Sequence, residues 1–161
     1  MMYLLDANVL IRAHEDYYPI DRVPQYWIWL LQQAEKGIIK MPFEIHGEIA
    51  IATGPLKDWI CDKAVKEALI LDEAADPAFV QEVTDKGYGA NLTDSDLYKV
   101  GRDPILVSYA YKNPKRVIVT KEVSKPGKQG ANRKIPDVCK DLQVPWTRDF
   151  ELYKILNFKT T

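Results

Sequence analysis

The chain has 161 residues, 47% of them hydrophobic and 28% charged, with a net charge of −1. That balance suits one soluble globular domain spanning residues 1–161 and excludes a disordered or fibrous chain. It carries no apolar run near the roughly 18 residues of a membrane span and no basic-then-apolar leader, so a cytoplasmic location without membrane contact is expected. Two cysteines, Cys61 and Cys139, are too few for a disulfide framework and lie in no zinc spacing; both sit in helical-looking patterns and are expected as buried thiols.

In chain order, MYLLD reads as a short buried strand, with ANVLIRAHE turning into a helix. YYPIDRVP is a loop. PQYWIWLLQQAEKG predicts a helix with Pro24 in its first turn and Gly37 past its end. Its Tyr26, Trp27, Trp29 and Leu30 exceed what one buried face requires, which leaves open an exposed part serving an interface. IIKM is a second strand, and PFEIHGEIAIAT a helix starting at Pro42. GPLKDWICDKAVKEALILDEA predicts one further helix, and DPAFVQEVTDKGYG another with an Asp–Pro start and a Gly stop. LTDSDLYKVG is a short polar helix or turn. RDPILVSYAYKN opens a helix at Asp103–Pro104. KRVIVT is the third strand, KEVSKPGKQGANRK a flexible basic loop, IPDVCKDLQ a short helix, VPWT the last strand and DFELYKIL the closing helix. Strands alternating with helices predict an α/β fold, with a mainly parallel sheet of about four strands flanked by helices. Ligands in such folds bind beyond the carboxyl ends of the strands.

Charge is unevenly spread. Between Lys112 and Lys134 stand eight basic side chains and one acid, Glu122. A stretch this lopsided suits either a solvated face or phosphate binding.

The acids raise a sharper question. Asp6 closes an apolar strand, where an unpaired charge is costly. Glu48 lies in the helix after the second strand, one turn beyond Glu44. Asp103 opens a helix, and Glu122 follows the third strand. Taken singly, each has an ordinary reading: Asp6 or Asp103 as a helix cap, Glu44 and Glu48 as solvated helix residues, Glu122 as a balance for the basic loop. Taken together, four carboxylates at one sheet edge repel unless a cation stands between them, and Mg²⁺ or Mn²⁺ prefers such oxygen donors. His14 and His46 form no zinc site; at 100° per residue His46 points away from Glu48. No Gly-rich loop with a following Lys is present, which argues against an NTPase.

The ordered set (strand–DAN, a helix with an internal Glu, DPILVSYA, then strand–VTKE) resembles the PIN-domain nucleases, many of them toxins of VapC-type toxin–antitoxin pairs. The resemblance spans roughly Met2 to Leu156. YYP near residue 18 and IPDVC at 135–139 look more like a less characterised PIN-like branch. Glu122 departs from the Asp found in many members.

The resemblance implies a PIN-like three-layer fold. It also implies a Mg²⁺- or Mn²⁺-dependent endoribonuclease in which Asp6, Glu48, Asp103 and Glu122 are the metal ligands, with Asp6 and Asp103 central. Asn8 and Thr120 would orient a carboxylate or water from behind, and a metal-activated water would attack the RNA phosphodiester. Arg102, Lys121, Lys125 and Lys128 would contact RNA phosphates, and the loop aromatics Tyr17, Tyr18 and Trp146 either stack on bases or fold onto the core. A cognate antitoxin and a homodimer are the implied partners. The alternatives are a PIN-like module too altered to hold metal, binding RNA or protein only, and a haloacid-dehalogenase-type phosphatase, which needs a second Asp where Asn8 stands.

Overall fold

Four short strands form the frame: β1 (Met2–Leu5), β2 (Ile39–Lys40), β3 (Arg116–Val119) and β4 (Trp146–Thr147). The structure, a computed structural model, describes residues 1–161. The strands lie in the order β2-β1-β3-β4, and every pairing is parallel. A parallel sheet covered on its faces is built from continuous apolar strands rather than alternating ones. β3 meets that requirement, being buried throughout with Val117, Ile118 and Val119, and so do Leu4 and Leu5 of β1. Beyond Lys40, Met41 pairs with Ile70 in an isolated parallel bridge.

Ten α-helices surround the sheet. α1 (Ala7–Arg12) follows β1 and continues into a π-helical turn at Ala13–Tyr17. α2 (Pro24–Glu35) begins at its proline, as expected, and Gly37 past its end takes φ +75°, a conformation that glycine adopts without steric cost. α3 (Phe43–Ala50) carries Glu44 and Glu48.

The single helix expected next is two, α4 (Pro55–Ile60) and α5 (Lys63–Leu69). The break has a local cause: the Asp62 carboxylate accepts from the backbone N–H groups of Ala64 (3.1 Å) and Val65 (3.3 Å) and starts a new helix. α6 (Pro77–Val83) ends in a π-helical turn at Thr84–Tyr88. α7 (Asp94–Val100) opens with a reciprocal Thr93–Asp96 capping box, which explains why so polar a segment is helical. α8 (Asp103–Tyr111), α9 (Ile135–Leu142) and α10 (Asp149–Ile155) complete the set. The arrangement is consistent with the PIN-like three-layer fold expected from the sequence.

The core joins both ends of the chain. Tyr26 and Trp27 of α2 are buried, Trp29 is half-buried and only Ile28 of that stretch stands exposed. The Tyr26 hydroxyl lies 2.7 Å from that of Tyr153 in α10, and Tyr18 stacks on Tyr26 at 4.7 Å between ring centroids. The surplus aromatics of α2 are thus mostly spent inside the molecule. His46 is likewise a core residue, its Nε2 2.8 Å from the Ile60 carbonyl. Cys139 is buried as expected, whereas Cys61 is half-buried. No helix is long and apolar enough to cross a membrane.

Ile118 is fully buried in β3 between β1 and β4. Ile118→Ala is expected to lower unfolding free energy by about 2–5 kcal/mol, read as a lower urea midpoint with an unchanged slope.

Candidate functional site: an acidic edge at the carboxyl ends of the strands

The register of β1 on β3 sets the site. Leu5 pairs with Val119, and the Asp6 backbone N–H donates to the Val119 carbonyl at 2.9 Å. The next residue on each strand, Asp6 and Thr120, therefore emerges at the same edge. The Thr120 hydroxyl donates to Asp6 Oδ2 at 2.9 Å. That hydroxyl also accepts from the Glu122 backbone N–H at 3.1 Å, and Asn8 Oδ1 accepts from the Lys121 backbone N–H at 3.1 Å. Asp6, Asn8, Thr120 and Glu122 thus form one hydrogen-bonded unit across two strands. Asp6 stands at the position before α1, yet its side chain makes no capping hydrogen bond; the carboxylate is given to Thr120 instead.

Asp103 opens α8 without capping it, so the ordinary reading of that residue also fails. The effects of these acids on one another locate the rest. Burial pushes the Asp6 carboxyl up from its usual 3.8 to about 7, and Glu122 and Glu48 add to the rise against the Thr120 hydrogen bond. Burial pushes Asp103 up to about 8, reinforced in order by Asp6, Glu122 and Glu48 and opposed by Lys134. Glu48 is raised by burial, with Arg102 opposing. Glu48 of α3 and Glu122 after β3 therefore act on both Asp6 and Asp103. Glu44 does not join them. Its carboxylate accepts from the Tyr109 hydroxyl at 2.7 Å and lines a groove of about 890 Å³ together with Ile70, Leu71 and Glu73.

A divalent cation is the group that such acids imply, and the donor chemistry fits: every candidate is a carboxylate oxygen. The side chains are not gathered further than that. No three His, Cys, Asp or Glu side chains stand close enough to hold one ion together. Glu122 is turned aside, its Oε2 accepting the Ile135 N–H at the start of α9 at 2.8 Å.

The expected RNA contacts divide. Arg102 spans α3, donating to the Glu44 carbonyl at 2.8 Å. Lys125 and Lys128 are exposed, and neither forms an ion pair. Lys121 requires correction. Its ammonium is largely buried, 2.9 Å from the buried Asp149 carboxylate and 4.5 and 4.7 Å from the Tyr17 and Phe150 ring centroids. A cation already paired and covered by two rings is not free for a phosphate. Tyr17 is engaged in the same way and Tyr18 lies in the aromatic core. The basic loop is also less loose than its composition suggests. Asp137 accepts from the Ser124 hydroxyl and the Lys125 N–H, and Arg133 donates to the Gly87 carbonyl and Asp141.

A family model described as a domain of unknown function, DUF4411, matches residues 3–160. The chain belongs to the DUF4411 family. No curated protein matches it.

Two residues of this DUF4411 chain near the acids had no local signal. Lys134 is one basic residue among eight in its stretch, and only the packing of α9 against α8 brings it to Asp103. Tyr88 lies in a Gly-Tyr-Gly turn, and its relation to the acids is wholly tertiary.

Raised carboxyls have a definite pH consequence. Between the unfolded value near 3.8 and the folded values of about 7 and 8, the folded state holds more protons than the unfolded one. Stability therefore falls as pH rises through that window. For buried Asp6 the ionised form is disfavoured by on the order of 4 kcal/mol. Without divalent cation, the protein is expected to melt lower at pH 8.5 than at pH 5, and Asp6→Asn to flatten that slope. A second expected outcome concerns Lys121: Lys121→Ala leaves Asp149 buried and unpaired, costing about 3–5 kcal/mol, whereas Lys125→Ala leaves the urea midpoint unchanged.

Proposed function

We propose that this DUF4411 chain is a Mg²⁺- or Mn²⁺-dependent endoribonuclease resembling the PIN-domain enzymes. The observation that carries the reading is that Asp6, Glu48, Asp103 and Glu122 come from four separate elements, and that Glu48 and Glu122 add to the raised protonation of both Asp6 and Asp103. Folding pushes like charges together at a cost, and a site for a cation explains why such a cost is tolerated.

Asp6 and Asp103 would be the main ligands, with Glu48 and Glu122 completing the set directly or through water. When bound, a divalent cation supplies charge neutralisation at the phosphate and a water acidic enough to attack phosphorus. The chain's own contribution is orientation and attraction. Thr120 fixes the Asp6 carboxylate, and Asn8 fixes the backbone that carries Glu122. Arg102 favours the ionised form of Glu48 against its burial. Lys125 and Lys128, exposed on the loop beyond Glu122, draw phosphates towards an edge that is otherwise anionic. Single-stranded RNA suits an open edge, since its backbone is accessible. The toxin role, with a cognate antitoxin and a homodimer, follows the resemblance rather than any surface described above.

One observation favours a second reading, a DUF4411 module that binds RNA or protein without catalysis: Glu122 already serves the amino end of α9, and no three acids are within ligating reach. Calorimetric titration with Mn²⁺ separates the two. The nuclease reading expects binding near neutral pH that Asp6→Asn abolishes, and Mn²⁺-dependent cutting of a mixed RNA pool that falls at least about a hundredfold in Asp103→Asn. Absence of Mn²⁺ binding by the parent chain would leave only the binding module. Charge reversal at Lys125 and Lys128 together is expected to weaken RNA binding and flatten its salt dependence.

A further inference from the structure

Beside the acidic edge lies a second surface, built by the last helix and the residues after it. α10 closes in a Schellman turn. Asn157 takes φ +56°, its N–H donates to the Lys154 carbonyl at 3.1 Å, and the Phe158 N–H donates to the Tyr153 carbonyl at 2.8 Å. A left-handed residue commonly ends a helix in this way, and asparagine tolerates the conformation. The turn folds Phe158 back on the helix, its ring 6.0 Å from that of Tyr153 and 5.6 Å from that of Tyr18. Phe150, three residues before Tyr153, stands 5.8 Å from the same ring. These four aromatics line a recess of about 530 Å³, a size common among small-molecule sites.

Tyr153 is buried, Tyr18 and Phe158 are half-buried, and Phe150 is 40% exposed, the least covered of the four rings. The polar part of the lining is Lys154, Asn157 and Lys159, all exposed, and no acid lines the recess. Lys154 lies 3.2 Å from Glu151, an exposed pair of little strength, and Lys159 forms no ion pair. Aromatic rings with basic side chains round them suit a nucleotide, whose base stacks and whose phosphate is anionic. The recess also adjoins the acidic edge. The Phe150 ring lies 4.7 Å from the Lys121 ammonium, and Lys121 stands between Thr120 and Glu122 in the chain. A strand lying on that edge therefore passes close to Phe150.

We propose that this recess binds one nucleotide of a single-stranded RNA, its base stacked on Phe150 and Phe158 and its phosphate held by Lys154 and Lys159. The proposal rests on the RNA reading of the chain but not on a cation, so it holds whether the chain cuts RNA or only binds it. Every base has a π-face, so the recess grips a strand without reading its sequence.

The test measures binding of a fluorescein-labelled single-stranded RNA of mixed sequence to the full chain by anisotropy, without divalent cation so that no strand is cut. Phe150→Leu keeps an apolar side chain and removes the ring; it is expected to weaken binding about tenfold. Phe150→Tyr keeps the ring and is expected to bind as the parent does. Lys159→Gln is expected to flatten the dependence of log Kd on log salt concentration by about 0.7. Equal affinity of parent and Phe150→Leu overturns the recess and leaves RNA binding elsewhere on the chain. Should Phe150→Leu lose its fold through the contact with Lys121, the exposed and unpaired Lys159 decides, and an unchanged salt slope in Lys159→Gln overturns the proposal. A parent dimer in solution that Phe150→Leu dissociates, with RNA affinity unchanged, overturns it in favour of a second copy of the chain at this face. A parent that binds no RNA overturns the recess and the RNA reading together.

Discussion

The in-register parallel pairing of β1 with β3 is the constraint on which the rest depends. It joins residues more than a hundred positions apart and sets Asp6 beside Thr120. Side chains alternate along a strand, so a slip by one residue would turn Asp6 and Thr120 to opposite faces. Register here is secured by burial. Leu4, Leu5, Ile118 and Val119 are all inaccessible in the observed alignment. Hydrophobic packing, which has no chemical specificity of its own, is what delivers a carboxylate and a hydroxyl to the same edge.

The cost appears in the acids themselves. Asp6 and Asp103 carry protons far more readily than free carboxyls because burial and neighbouring acids disfavour their charge. Elsewhere in the molecule, buried charges are matched. Arg116 pairs with Glu73, and Lys121 with Asp149. The acidic edge is the exception, and a region where a fold keeps unmatched charge is where function is sought. That contrast within one chain supports the proposed cation-dependent chemistry more than any single residue does.

Much of this was legible in the sequence because it depends on local pattern. Apolar strands ending in Asp6 and Thr120, proline-started helices and the order of the four acids all lie along the chain. What was not legible is tertiary. The α4–α5 break depends on Asp62 choosing backbone N–H groups over solvent. Lys121 reads as one of a basic run until Asp149, Tyr17 and Phe150 close round it. Glu122 reads as a fourth ligand, whereas it also satisfies an N–H at the start of α9. Tyr88 carries no motif at all. In each case the missing information is which distant group becomes the neighbour, and composition cannot encode that.

The Lys121–Asp149 pair has one more consequence. Lys121 sits between Thr120 and Glu122, so its ammonium anchors the backbone from which two residues of the acidic edge project. Its counter-charge belongs to α10, which also docks on α2 through Tyr153. Fraying of that last helix would therefore loosen the acidic edge from a distance, without touching any of its carboxylates. The two ends of the chain, sewn together by an aromatic seam, act as a single latch on the centre.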